Sequence, residues 1–144
     1  MNSELPVSRR TVLAIAAAGA GATALAACNP ASNQSSASLG PQKAGVSLTK
    51  LDSVPVGSAV AVSLPDGTPG IVARPTATTA VAFSAVCTHM QCTVAPHGGQ
   101  LVCPCHGSVY NALTGAVEQG PAPSPLAKVD VAVVGGAVET AAVT

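Results

Sequence analysis

The sequence is poor in aromatic residues. Its 144 residues include one phenylalanine, Phe83, one tyrosine, Tyr110, and no tryptophan. The core of a folded domain must therefore consist mainly of valine, alanine and leucine, which bury less apolar area than aromatic side chains. A small domain with such a core usually depends on an additional stabilising element, such as a disulfide or a bound metal.

Charged residues are also scarce, at 8% of the sequence, and the formal net charge is zero. After position 28 there are four basic and five acidic residues, and the basic ones form no cluster. Nucleic-acid binding depends largely on lysine and arginine neutralising phosphates, so the composition argues against a nucleic-acid partner. The length allows one domain.

Residues 1–27 have the composition of an export signal. Arg9 and Arg10, in the stretch SRRTVL, precede an uncharged run rich in alanine and glycine. Paired arginines before such a run are typical of the twin-arginine route. A membrane span needs about 20 apolar residues, and this run is shorter and weakly apolar, although an uncleaved anchor helix remains the alternative. We expect export to the outer face of the bacterial cytoplasmic membrane.

The signal ends in LAAC, which resembles a bacterial lipoprotein box and predicts cleavage before Cys28 with lipidation of that cysteine. Cys28 lies far along the chain from the other four cysteines, which favours this interpretation over a chance cysteine. Residues 28–45 are rich in serine, asparagine, glycine and proline, a composition that predicts a flexible linker. The chain would then be tethered to the membrane.

The pattern of residues 46–144 predicts a small antiparallel all-β domain, because short valine-rich segments alternate with turn residues. Hairpins are predicted at Pro65–Gly70 and at Gly135-Gly136, and Leu126–Val134 alternates as one strand. No segment after Cys28 shows a sustained helical period. Residues 87–125 are instead rich in turns, which indicates a loop-built site on a strand scaffold.

Two motifs in that region combine cysteine with histidine: CTHMQC from Cys87 to Cys92 and CPCHGS from Cys103 to Ser108. Two thiolates and two imidazoles are enough to hold a metal centre. His97 has no cysteine at a comparable offset, and we interpret it as a solvated turn residue.

A single zinc ion is one possible occupant. Structural zinc sites favour paired cysteines followed by paired histidines, whereas each motif here supplies one cysteine and one histidine. Zinc would also leave Cys92 and Cys105 without a role. A zinc-stapled extracytoplasmic binding module is therefore kept as the non-redox alternative.

The two motifs resemble the two boxes of Rieske 2Fe–2S proteins, of the disulfide-containing, high-potential type found in quinol-oxidising cytochrome bc complexes. The resemblance covers residues 87–108 tightly and extends loosely to GPAP at Gly120 to Pro123. It implies a Rieske-type β domain with one 2Fe–2S cluster. Two of the four ligands would be thiolates, Cys87 and Cys103, and two would be imidazoles, His89 and His106.

The resemblance also implies roles around the cluster. Cys92 and Cys105 would form a disulfide between the two loops. Ser108 would donate a hydrogen bond to a bridging sulfide, and Tyr110 one to the sulfur of Cys87. Met90 would shield the cluster. One residue departs from the pattern, because the family commonly has glycine at the position of Gln91.

The function implied is one-electron transfer by a membrane-tethered subunit, with quinol and cytochrome subunits as partners and electron and proton transfer at His89 and His106. Catalysis would belong to the complex and not to this chain alone. The alternatives are a small Rieske subunit of an exported oxidoreductase, similar to that of arsenite oxidase, and a free-standing Rieske lipoprotein.

Overall fold

The structure, a computed structural model, describes residue 37 and residues 39–142, and this part of the chain is built from strands. It contains one short 3-10 helix, Leu51–Ser53, and no α-helix. The all-β prediction is confirmed. The strands are β1 Ser47–Lys50, β2 Ser58–Ser63, β3 Pro69–Arg74, β4 Val81–Ser84, β5 Ala95–His97, β6 Gln100–Val102, β7 Val109–Asn111, β8 Val117–Gln119, β9 Lys128–Val129, β10 Val131–Val134 and β11 Ala137–Thr140.

The strands form three antiparallel sheets. A central sheet has the order β2-β3-β4-β9, a second sheet the order β1-β11-β10, and a third the order β5-β6-β7-β8. The third sheet lies wholly within the region for which the sequence predicts loops. Each of its strands has three residues, too few to show an alternation that could be recognised in advance.

Both predicted hairpins are confirmed. In the β2–β3 turn the Asp66 carboxylate accepts a hydrogen bond of 2.9 Å from the backbone N–H of Thr68, as short acidic side chains do in turns. In the β10–β11 turn Gly135 and Gly136 both have positive φ, 55° and 81°. A two-residue hairpin turn requires this conformation, and only glycine adopts it without strain.

The predicted single strand from Leu126 to Val134 is divided at Asp130. β9 pairs with β4 in the central sheet, whereas β10 pairs with β11 in another sheet. Alternation in sequence shows which residues share a face, but not where a strand changes its partner.

The central sheet is covered on both faces. On β3, Ile71 and Ala73 point into one core cluster, and Val72 between them points into the other. Successive side chains of a strand point to opposite faces, so this alternation creates two cores. The first core also contains Phe83, Tyr110, Cys87 and Cys103. The second packs against the sheet of β1, β10 and β11.

The described end of the predicted linker contacts the domain. Lys128 donates a backbone hydrogen bond of 2.8 Å to the carbonyl of Ala37 and accepts one of 3.0 Å from the N–H of Leu39. We call Ala37 and Leu39 the strap. Further along, the N–H of Gly45 donates to the carbonyl of Thr140 at 2.7 Å. The remainder of the linker prediction, the export signal and Cys28 lie outside the described residues.

Within residues 37 and 39–142, no helix has the length and apolar character needed to cross a membrane.

Phe83 is 1% exposed and is the largest apolar side chain of a core with few aromatic residues. We predict that Phe83→Ala lowers the free energy of unfolding by about 3–5 kcal/mol, because it removes buried area and leaves a cavity. Denaturant-induced unfolding measures this change. Val56→Ala is the control: Val56 is 58% exposed, and its truncation is expected to change stability by less than about 0.5 kcal/mol. Equal effects of the two substitutions would contradict this core assignment.

Candidate metal centre

Two loops carry the cysteine–histidine motifs, and the strands bring them together. Cluster loop 1, Cys87–Cys92, connects β4 to β5, and cluster loop 2, Cys103–Ser108, connects β6 to β7. An isolated bridge between Val86 and Thr93 closes the base of loop 1. The pairing of β6 with β7 closes the base of loop 2.

The two loops have the same backbone hydrogen bonds. In each, the carbonyl of the first cysteine accepts from the N–H four residues later, at 2.9 Å in loop 1 and 3.1 Å in loop 2. In each, the N–H of that cysteine donates to the carbonyl five residues later, at 2.8 Å in both. The loops are therefore two copies of one turn, although their sequences differ.

This turn requires a left-handed residue at its fifth position. Loop 2 has Gly107 there, with φ of 71°, and loop 1 has Gln91, with φ of 60°. Gln91 is the one non-glycine residue with positive φ in the described part of the chain. A left-handed conformation costs a residue with a Cβ about 1–2 kcal/mol. The departure from the family glycine therefore changes the side chain but not the backbone of the loop.

A disulfide joins the two loops. Cys92 and Cys105 are bonded, with their Cα atoms 6.4 Å apart. The pairing implied by the family resemblance is thus present in the structure, and it ties the end of loop 1 to the middle of loop 2.

The four residues predicted as ligands lie at the same end of the domain. Cys87 and Cys103 are free thiols, each 1% exposed. The rings of His89 and His106 lie edge to face, with centroids 4.8 Å apart. The Nδ1 atom of His89 is buried and has no hydrogen-bond partner among the described residues. A buried nitrogen without a partner is costly unless a bound group satisfies it.

Tyr110 is hydrogen-bonded at the edge of this site. Its hydroxyl oxygen lies 3.3 Å from the sulfur of Cys87 and accepts a hydrogen bond of 3.1 Å from the backbone N–H of Thr88. The hydroxyl of Thr88 donates its single hydrogen to the carbonyl of Ser124 at 2.6 Å. The hydrogen of Tyr110 therefore has two acceptors within reach, the sulfur of Cys87 and the hydroxyl oxygen of Thr88 at 3.2 Å. A thiolate is an acceptor only, and its charge makes it the stronger of the two.

The pKa of the Cys87 thiol is lowered from its usual value. Burial acts to raise this pKa, but hydrogen bonds from the Tyr110 hydroxyl, the His89 N–H, the Cys103 side chain and the Met90 N–H together outweigh it. Burial, followed by the hydrogen bond to Cys87, raises the pKa of Tyr110. The pair thus favours a thiolate at Cys87 beside a neutral phenol, the protonation state that metal ligation requires.

A third segment, from Gly120 to Ser124, contacts both loops. Ser124 accepts the hydrogen bond from Thr88 of loop 1. At Gly120 a Cβ atom would lie 2.6 Å from the Cα of Ser108 and 2.9 Å from the carbonyl oxygen of Gly107, so only glycine allows this approach to loop 2. Ser108 itself is fully buried, and its hydroxyl has no partner among the described residues.

These observations test whether an iron–sulfur cluster fits. The sulfurs of Cys92, Cys103 and Cys105 lie within 4.8 Å of one another, but two of them are consumed by the disulfide, which excludes a site of three thiolates. The remaining donors are two buried thiols and two facing imidazoles. This is the Cys₂His₂ set of Rieske 2Fe–2S centres. The partnerless hydroxyl of Ser108 and the Nδ1 of His89 also fit a bound group.

The remaining residues that the sequence singled out near the site, Met90 and His97, are both exposed. Met90 is 62% exposed, so its predicted role as a shield for the cluster stays a prediction. His97 is exposed as predicted, but it is the last residue of strand β5 and lies beside the turn, not in it. No sequence pattern indicated the roles of Thr88 and Ser124. Their hydrogen bond joins residues 36 positions apart, and no local pattern could have indicated it.

The sequence matches the Rieske [2Fe-2S] domain family over residues 46–130. The two thiols and two imidazoles on paired loops define a class of protein, in which two cysteines and two histidines hold an iron–sulfur centre. The family match then makes the assignment specific: the chain belongs to the Rieske family, and its cofactor is a 2Fe–2S cluster. This favours the iron–sulfur cluster over the zinc alternative.

Among curated proteins, the chain is similar to cytochrome b6-f complex iron-sulfur subunits. It is 59% identical to that of Gloeobacter violaceus over 49 residues, which cover 33% of this chain and 26% of the relative. It is 46% identical to that of Parasynechococcus marenigrum over 65 residues, covering 44% and 36%. The chain thus spans about a quarter to a third of the length of these relatives in the matched regions.

Among solved structures, the chain resembles the cyanobacterial plasma membrane Rieske protein PetC3 from Synechocystis PCC 6803. The TM-score is 0.59 at 27% identity, covering 67% of this chain and 99% of the other. It also resembles the ferredoxin of carbazole 1,9a-dioxygenase from Nocardioides aromaticivorans, with a TM-score of 0.54 at 25% identity over 73% of this chain and all of the other. The Rieske fold is therefore confirmed.

Two matched substitutions test the shared turn. We predict that Gln91→Gly raises the free energy of unfolding by about 0.5–1 kcal/mol, because relief of left-handed strain exceeds the entropic cost of glycine. Gly107→Ala is expected to lower the free energy of unfolding by about 1 kcal/mol, because alanine is strained in the left-handed conformation that Gly107 adopts. Denaturant unfolding of the disulfide-intact protein measures both. Stabilisation by Gly107→Ala would show that the loops do not share this constraint.

The disulfide gives a second stability prediction. Cys92 and Cys105 are 13 positions apart, and the loop-closure entropy of such a link is worth about 3 kcal/mol. We expect the double variant Cys92→Ala, Cys105→Ala to lose stability by about that amount. Thermal unfolding with and without reductant provides the control, because reductant should destabilise the wild-type protein and leave the double variant unchanged. A wild-type protein insensitive to reductant would contradict the prediction.

Proposed function

We propose that this chain is a membrane-tethered one-electron carrier whose cluster is held by Cys87 and Cys103 on one iron and by His89 and His106 on the other. The observation that carries the proposal is the convergence of two buried free thiols and two facing imidazoles on paired loops. When bound, the cluster supplies one-electron chemistry at a potential that neutral imidazole ligands raise above that of all-cysteine clusters.

The chain's own residues then have distinct tasks. Cys87 and Cys103 provide thiolates from within the core, where each is 1% exposed. His106 is exposed, so it can meet a partner and carry a proton at its outer nitrogen. Tyr110 places its hydroxyl 3.3 Å from the sulfur of Cys87, and Ser108 offers a buried hydroxyl.

We further propose that the chain is the iron–sulfur subunit of a quinol-oxidising cytochrome bc-type complex, on the outer face of the cytoplasmic membrane. The similarity to cytochrome b6-f iron-sulfur subunits supports this assignment. The twin-arginine pattern and the cysteine of LAAC support export and lipid anchoring through Cys28. A quinol would donate the electron, and a cytochrome subunit would accept it.

A second candidate is a small Rieske subunit of an exported oxidoreductase, or a free-standing Rieske lipoprotein. It is favoured by the limited overlap with the b6-f subunits, of which the chain covers 26–36% in the matches above. Isolation of the full chain from membranes under mild detergent separates the two functions: a co-purifying cytochrome b supports the first, and a catalytic subunit without cytochrome b supports the second. Mass spectrometry of the mature N-terminus tests lipidation, and an intact Met1–Ala27 segment would contradict it.

The cluster assignment has a spectroscopic test. The purified chain is expected to show the visible absorption and reduced-state EPR signal of a Rieske centre, with two iron atoms per chain. His106→Ala and Cys103→Ala should each abolish the signal, whereas His97→Ala, which alters an exposed histidine outside the loops, should retain it. A colourless protein with stoichiometric zinc would contradict the assignment.

Two hydroxyl groups are predicted to set the reduction potential. Hydrogen bonds to cluster sulfurs stabilise the reduced state, which carries one more negative charge, so their removal lowers the potential. We expect Ser108→Ala and Tyr110→Phe each to lower the midpoint by roughly 60 mV, which corresponds to about 1.4 kcal/mol for one electron. EPR-monitored redox titration measures the midpoint. Thr114→Ala, at an exposed turn, is the control, and a midpoint unchanged by both site variants would contradict these roles.

A further inference from the structure

The strap adds backbone hydrogen bonds to an open sheet edge. β9 is the last strand of the central sheet, so one of its edges has no neighbouring strand. Lys128 of β9 donates a backbone hydrogen bond to the carbonyl of Ala37 and accepts one from the N–H of Leu39, two positions further along the chain. This is the hydrogen-bond pattern of a parallel pair. The strap therefore covers an edge that would otherwise present unpaired backbone groups.

The side chain of Leu39 connects the strap to two other parts of the molecule. It packs against the second core cluster, where it is half-buried. It also lines a cavity of about 470 Å³ whose other walls include Cys87, Thr88 and His89 of loop 1. Leu39 thus stands on the side of the metal centre formed by loop 1. Cys103 and His106 do not line this cavity.

Among the described residues, two backbone hydrogen bonds and the half-buried side chain of Leu39 hold the strap to the domain. Such segments open locally at a smaller free-energy cost than the domain unfolds. The strap can therefore leave β9 while both cores and the disulfide remain intact.

We propose that Leu39 is a positioning residue of the metal centre: in the docked strap it limits access of water to Cys87 and His89, and undocking raises the reduction potential. Reduction adds one negative charge at the centre. Water stabilises added charge better than an apolar wall does, so greater solvent access favours the reduced state. Solvent exposure is one of the factors that set the potential of iron–sulfur centres.

This inference rests on the proposed ligand set and extends it. The strap lies within the predicted linker of residues 28–45, which would lead to the membrane anchor at Cys28. A pull on the linker would act first on the contacts of Ala37 and Leu39 with β9. The position of the tether and the potential of the centre would thereby be coupled.

The test uses two strap variants of the full chain. Leu39→Ala removes the apolar wall and keeps the backbone bonds, whereas Leu39→Pro also removes the N–H that donates to Lys128. Gln42→Ala is the matched control, because it breaks the linker contact with Asp66, 3.3 Å long, and leaves the strap in place. Each protein is titrated by EPR, and amide hydrogen exchange at Lys128 reports docking of the strap.

We expect the equilibrium constant for reduction by a one-electron mediator to rise about threefold in Leu39→Ala and up to about tenfold in Leu39→Pro, a tenfold change being 59 mV. Hydrogen exchange at Lys128 should increase in Leu39→Pro, and Gln42→Ala should match the wild type in both measurements. Midpoints of both strap variants equal to the wild type would overturn the proposal, as would equal shifts in Gln42→Ala. A wild-type chain without a Rieske EPR signal would overturn the ligand assignment as well, so the two failures are distinguishable.

Discussion

The covalent link between Cys92 and Cys105 is the constraint on which the metal centre depends. The loops it joins contain no regular secondary structure, and each rests on strands of a few residues. Backbone hydrogen bonds shape each loop, and the pairing of β5 with β6 brings the end of loop 1 beside the start of loop 2. The disulfide adds a direct covalent link between the loops, and the segment from Gly120 to Ser124 adds a contact to each loop. Four ligand side chains can then converge on one centre.

The scarcity of aromatic residues has a structural counterpart. Phe83 and Tyr110 lie in the same core cluster, and that cluster also contains Cys87 and Cys103. The second cluster consists of aliphatic side chains alone. The larger buried side chains are thus concentrated beneath the metal centre. Tyr110 contributes to both the core and the metal centre, because its ring is buried in the core while its hydroxyl lies 3.3 Å from the sulfur of Cys87.

The sequence predicted the features that depend on local patterns. The hairpins at Pro65–Gly70 and Gly135-Gly136, the β class and the two motifs follow from residue type and spacing, and the disulfide pairing followed from the family resemblance. The sequence did not predict the division of a strand at Asp130, because the change of partner leaves no local signature. Nor did it predict the bond between Thr88 and Ser124, which depends on how distant segments pack.

Two features that the family resemblance does not imply meet on one side of the metal centre. Gln91 replaces a glycine at a position where the backbone must be left-handed, and Leu39 belongs to a segment that was predicted to be a flexible linker. Both line the cavity beside His89. His106, by contrast, is exposed. The two histidines therefore differ in their surroundings: His106 is exposed, whereas His89 is half-buried beside a cavity that Leu39 and Gln91 help to line.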